Sequence, residues 1–420
     1  MQSLLSQLQI PKVPPEWKDR LRAGFGSLPL PTSSAALPIG LDIADGVARL
    51  LQLETTPDGL AISGATAQPF NCVGEGCDEW RAAKSAVTAG LAEPTMNGRR
   101  VVVSMPRSLV KYKAIRLGAA QTPAERANVF AEEAKSAFGV ELSSGDFIVH
   151  FLESEALRRP EQVEGTLVIV RRTDVAEFVS ELTAWGAEVV AVELEPISLL
   201  RTVNRFGKRE EDAREANVLI DIGSRATRVV IGRGPRVSFF KSIPIGGRTI
   251  AAAAASALGL DEREAELLLR CDRQREDLEI SENLVSRSIR NVLRVVAADL
   301  ARELTLCIRY HSVTFQGRPP RVGHVTGGGA TPLLMEHLQA SLDALLPIRL
   351  ATRDPLQIMA CPAPCDAIGD RPLVWGKAFG LALQPIAAGA MDRSRTGATR
   401  TEQAEAELPI ANTPATGVAA

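Results

Sequence analysis

The sequence predicts an α/β protein of two domains with a small subdomain inserted in the first half, and three stretches carry that reading. In NVLIDIGSRATRVVIG, residues 217–232, an apolar run ends at Asp221, Gly223 and Ser224 follow, and a second apolar run begins. That is a strand, a tight turn and a strand. Upstream, Leu41-Asp42-Ile43-Ala44-Asp45-Gly46 repeats the pattern between an apolar run and residues 47–53. Far downstream, Val325-Thr326-Gly327-Gly328-Gly329-Ala330 makes a glycine turn that leads into a helical pattern over 332–346. A carboxylate at a strand end followed by a glycine turn suits a metal-bound phosphate. The backbone approaches closely, N–H groups point inward, and the Asp holds Mg²⁺ through water.

Taken in order, residues 1–37 read as an N-terminal extension. Leu4, Leu5, Leu8 and Ile10 give one amphipathic turn, and Pro31, Thr32, Ser33 and Ser34 read as linker. Residues 38–107 begin the first domain: three β-type runs over 39–69, turning at Asp45-Gly46 and Pro57-Asp58-Gly59, then a helix over 79–92 and a buried strand over 100–104. Residues 108–186 read as the inserted subdomain, with strands over 111–117, 147–152 and 166–170. Its first helix has Thr122 as N-cap, Pro123 at the first position and Gly139 past the end. Its second, over 174–185, sets Val175, Phe178, Val179 and Leu182 on one face. Residues 187–204 return to the first domain. The charged run 205–216, RFGKREEDAREA, lacks core positions and marks the crossing to the second domain, 217–385. There, Val285, Ile289, Val292, Val296, Leu300, Leu304 and Ile308 recur every three or four residues and specify a long helix with one buried face. Residues 386–420 have almost no large apolar side chains and are expected to be disordered.

At 420 residues the chain exceeds one ordinary core, and a formal net charge of −2 disfavours a nucleic-acid partner. The longest small-apolar run, 250–260, falls short of the roughly 18 residues that span a bilayer. The N-terminus lacks a basic region and is broken by Pro11, Pro14 and Pro15, unlike a signal peptide. The expected location is therefore the cytoplasm. Six cysteines are too few for a disulfide framework. Cys72 with Cys77 and Cys361 with Cys365 combine on paper into a zinc site, but C-x2-C is the usual spacing, so reduced, unpaired thiols are expected.

Two Asp-turn hairpins in separate halves plus a late glycine turn form the pattern of the actin-like ATPase superfamily. Within it, the chain resembles the PilM family of type IV pilus assembly proteins, which is related to the division protein FtsA. The resemblance spans residues 38–385. Met105-Pro106-Arg107-Ser108 is similar to the family's segment after an interior strand, and AEVVAVELEPISLLR, 187–201, to the stretch that returns to the first domain. SIPIGGR, 242–248, LGLDEREAELLL, 258–269, and WGKAFGLAL, 375–383, resemble the second hairpin's exit and two family helices.

The resemblance implies an actin-like (ribonuclease H-like) two-domain fold with ATP and Mg²⁺ between the halves. By position, Asp42, Asp45 and Gly46 belong to the first phosphate hairpin and Asp221, Gly223, Ser224 and Thr227 to the second. Gly327, Gly328 and Gly329 belong to the adenosine side, and Asp42 and Asp221 would hold the metal through water. It further implies a protein at the inner face of the inner membrane, docking a short cytoplasmic peptide of a PilN-type partner between the first domain and the insert. The chain departs from the pattern at Ala44 and Asp45, where a glycine and a serine are usual, and at Leu269, where a Lys is usual. Met105 and Pro106 stand where a water-positioning Gln or His would be. At most slow ATP hydrolysis is expected. Two alternatives share the fold: a nucleotide-free scaffold of a type II secretion-like system, which the departures favour, and an FtsA-like division protein. Residues 391–420 lack the basic amphipathic helix that the second would use. A sugar kinase would need a catalytic Asp in a context not found here.

Overall fold

The computed structural model describes residues 35–56, 59–72, 78–118, 121–154, 162–204, 216–234, 236–274, 284–314, 320–352, 354–356, 367–369 and 371–384, without the side chains of 144, 270–274, 284 and 286. The expectations for residues 1–34, for the crossing at 205–215, for the tail at 386–420 and for Cys77, Cys361 and Cys365 lie outside the described residues.

The chain opens with β1 Ala35–Ala36, β2 Ile39–Ala44, β3 Val47–Thr56 and β4 Gly59–Pro69, then α1 Glu79–Ala82, α2 Lys84–Leu91 and β5 Arg100–Ser104. It leaves for the insert through β6 Val110–Gly118, α3 Pro123–Phe138, β7 Phe147–Glu153 and β8 Gln162–Arg171. It returns by α4 Arg172–Ala184, β9 Glu188–Glu193 and α5 Glu195–Asn204. The second half runs β10 Asn217–Ile222, β11 Thr227–Arg233, β12 Arg236–Ile243, α6 Gly247–Leu258, α7 Glu262–Gln274, α8 Leu284–Thr314, β13 Val322–Thr326, α9 Pro332–Asp343, β14 Arg349–Thr352 and α10 Gly376–Ala382.

The two main sheets have one topology. The first follows β1-β3-β2-β5-β9 with β4 also on β3, and the second follows β12-β11-β10-β13-β14. In each, the opening strands pair antiparallel and the strands beyond pair parallel. The central strands β2 and β5 are apolar almost throughout, as strands covered on both faces must be. The second half closes over α8, which buries Ile289, Val296, Leu300, Leu304 and Ile308 as the spacing predicts, and also Leu293, which the predicted stripe does not include; Val292 is half-buried and Val285 at the start is 38% exposed.

The insert is a three-stranded sheet, β6-β8-β7. One face packs Ile115, Leu117, Leu167 and Ile169 under Ala134 of α3. That helix begins with a reciprocal cap, Thr122 accepting the Glu125 N–H and the Glu125 carboxylate accepting the Thr122 N–H, and it ends at Gly139 with φ 64°. Such a cap satisfies donors that the first turn leaves open. The other face joins the first-half core and reaches the second half, where Tyr112 meets Phe240 at a tilt with ring centroids 5.1 Å apart.

Three findings depart from the sequence reading. Helix α4, assigned to the insert, turns Val175, Phe178, Val179 and Leu182 onto the first-half core, where Phe178 meets Trp80 edge-on at 5.2 Å. Helix α10, assigned to the second half, packs Ala378 and Phe379 against Leu51, Leu53 and Ile62 of the first sheet. Small residues allow it: a Cβ at Gly40 or at Gly380 would strike the backbone of Ala378 or Ser198. Cys72 is disulfide-bonded rather than a free thiol, and Cys307 is the free, buried one among the described residues.

Candidate functional site

The matched sheets bring their first strands' carboxylates to one cleft. Asp42 lies on β2 opposite Arg49 of β3, and Asp221 lies on β10 opposite Arg228 of β11. The cavity between the halves has a volume of about 220 Å³ and is lined by Asp42, Asp45, Asp221, Gly223, Ser224 and the Gly327, Gly328, Gly329 turn. Leu269, Arg248, Arg371 and Lys377 also line it. Two predicted residues stand apart from that lining. Thr227 is wholly buried and donates to the Ile245 carbonyl at 2.7 Å, holding the second hairpin to its exit. Gly46 supplies the positive φ of the first turn, 72°, and its carbonyl accepts the Phe70 N–H.

A chain of alternating charge crosses the cleft. Lys377 Nζ is 2.6 Å from Asp42 Oδ1 and 3.6 Å from Glu195 Oε1. Arg228 Nε is 2.7 Å from Glu195 Oε1, and its Nη1 is 3.2 Å from Asp221 Oδ2. Arg49 flanks Asp42 at 3.7 Å. These side chains are 15% exposed or less, so water screens them little. Burial pushes the Glu195 carboxyl up, but Arg228, Lys377 and Arg107 outweigh it and hold it below the ordinary value. Burial dominates at Asp221, whose carboxyl lies above its ordinary value despite Arg228. Lys377 is the converse: burial lowers its pKa, and Asp42 and Glu195 together raise it above normal.

The turn amides are engaged as well. Gly223 N–H donates to Ala226 O at 3.0 Å, and Ser224 N–H donates across the cleft to Asp45 Oδ2 at 3.1 Å. Gly327 N–H donates to Leu373 O and Gly329 N–H to Ile222 O. Asp45 is the single non-glycine residue with positive φ among those described, at 56°. It holds a conformation that glycine would adopt without cost, and its carboxylate reaches the opposite turn.

This donor set does not fit a magnesium nucleotide in the conformation described. Both carboxylates that would carry the metal's waters are paired with buried cations.

Sequence reasoning missed the cations and their shared carboxylate, Arg49, Arg228, Lys377 and Glu195. A signal was present: DIADGVAR, 42–49, and DIGSRATR, 221–228, share Asp-Ile followed by Arg seven residues after the Asp. In a tight antiparallel hairpin that spacing sets the Arg directly opposite the Asp, as both registers show.

Two like sheets, each opening on an antiparallel hairpin and facing one cleft, define the actin-like fold. Among solved structures, the chain is similar to that of the PilM-PilN type IV pilus biogenesis complex, with 21% identity and a TM-score of 0.65 over 83% of this chain and 98% of that one. It also matches the ethanolamine utilization protein EutJ from Carboxydothermus hydrogenoformans, with 14% identity and a TM-score of 0.46 over 87% and 94% of the two chains. MreB5 of Spiroplasma citri bound to ADP matches with 13% identity and a TM-score of 0.43 over 86% and 99%. A scan against protein-family models and a search of curated proteins found no match.

Proposed function

We propose that the protein is an actin-fold assembly scaffold of a type IV pilus or related secretion machine, docking the cytoplasmic peptide of a PilN-type inner-membrane partner. The observation that carries this is the similarity over nearly the whole of a chain solved in a PilM-PilN complex. No described helix is long and apolar enough to cross a membrane. The insert supports the docking mode. Its outer strands β6 and β7 each pair on one side, with β8, among the described residues. An open strand edge accepts an extended peptide through main-chain hydrogen bonds.

The nucleotide-free form of this reading is preferred to one loaded with ATP and Mg²⁺, because Asp42 and Asp221 already hold Lys377 and Arg228. Pull-down of the full chain with the PilN-type protein's cytoplasmic peptide tests the docking. Capture without added nucleotide is expected. No capture by a folded chain overturns it.

A further inference from the structure

We propose that the cleft is closed by the protein's own side chains, with Lys377 and Arg228 replacing a divalent cation and the Asp45 carboxylate replacing a phosphate. The inference does not depend on which partner is docked. A cation bound here would have to balance Asp42 and Asp221, which face the cleft from the two sheets, and an ammonium and a guanidinium already do so at 2.6 and 3.2 Å. Glu195, 5% exposed at the start of α5, joins the two cations, so the series Asp42, Lys377, Glu195, Arg228, Asp221 runs from one half to the other. A metal entering there would have to expel two buried cations, each with its own carboxylate partners, and the dehydration of Mg²⁺ would add to the cost.

Asp45 completes the closure. An amide at a glycine turn is a ready anion donor, and the Ser224 N–H is aimed across the cleft. It takes Asp45 Oδ2 at 3.1 Å. The backbone at Asp45 is left-handed, so the position accepts glycine without strain. Two further contacts hold the halves beside this series. Arg225 pairs with Glu79 at 3.2 Å, and Arg107 donates to the Ser242 hydroxyl.

The test uses the full chain and two probes, Mg-ATP and inorganic phosphate. In the native protein, thermal unfolding is expected at the same temperature with Mg-ATP, with ATP and chelator, and with neither. A Mg²⁺-dependent rise overturns the replacement of the metal. Asp45→Gly frees the Ser224 amide and suits the local backbone, so calorimetry is expected to detect inorganic phosphate binding to this variant and none to the native chain. Phosphate binding equally to both, or to neither, overturns the role of Asp45. Circular dichroism of Asp45→Gly confirms that the comparison is between folded proteins.

Discussion

Lys377 stands between two buried carboxylates, and its removal leaves Asp42 and Glu195 with less positive charge than their burial needs. Breaking a buried pair from one side costs about 3–5 kcal/mol, because a charge is stranded in a poorly polarisable interior. Lys377→Met is expected to lower unfolding stability by that amount in urea at neutral pH. Adding Asp42→Asn is expected to recover part of it, since the stranded charge goes too. Strictly additive losses would show that the pair does not interact. Glu195 adds a pH signature. Its carboxyl is held below the model-peptide value of 4.5, so its stabilisation is present above that pH and is lost as the pH falls below it. The Asp positions were legible from strand ends and turn residues. Their partners were not, because Glu195 and Lys377 reach the cleft from helices far along the chain, and no local pattern announces such a meeting.

At the scale of elements, α10 is clamped where small residues meet. Arg201 donates to the Gly380 carbonyl at 2.6 Å while holding Glu193, and Thr202 Oγ1 donates to the Gly376 carbonyl at 2.8 Å. A Cβ at Gly380 would fall on the Ser198 carbonyl, which is backbone and cannot step aside. Gly380→Ala is expected to destabilise by at least the ~1–3 kcal/mol of ordinary overpacking. Gly98→Ala, at φ 83° with open space around it, should cost only the roughly 1–2 kcal/mol of a left-handed backbone. Equal losses in thermal unfolding would refute the clamp. Helix α8 carries a second test. Burial, with a smaller contribution from Arg233, lowers the pKa of His311 to about 4 from 6.5. The neutral form is favoured in the fold, so stability is full above pH 6.5 and falls as the pH drops toward 4, by roughly 3 kcal/mol in all. His311→Gln is expected to flatten that part of the curve of urea midpoint against pH. The caps and spacing of α3, α4 and α8 were readable because local chemistry sets them. Where α4 and α10 dock was not, since an apolar face names no partner.

The whole molecule is two like sheets pinned across a cleft, with an insert that shares a core with both halves. The shared core joins strands of both halves. Val230 and Val237 of the second half lie in one cluster with Leu199 and Leu200 of the first. Tertiary closure of this kind depends on contacts distant in sequence, and periodicity reports only neighbours. On the docking reading proposed above, the affinity for the partner peptide would rest on apolar anchors and main-chain bonds. Its dissociation constant is expected to change little with salt. Hydrogen exchange of the full chain, with and without the PilN-type cytoplasmic peptide, tests the docking claim most directly. The account predicts new protection in β6 or β7 of the insert at any salt concentration and without nucleotide. Protection confined to the cleft turns, or protection that appears only with Mg-ATP, would contradict it.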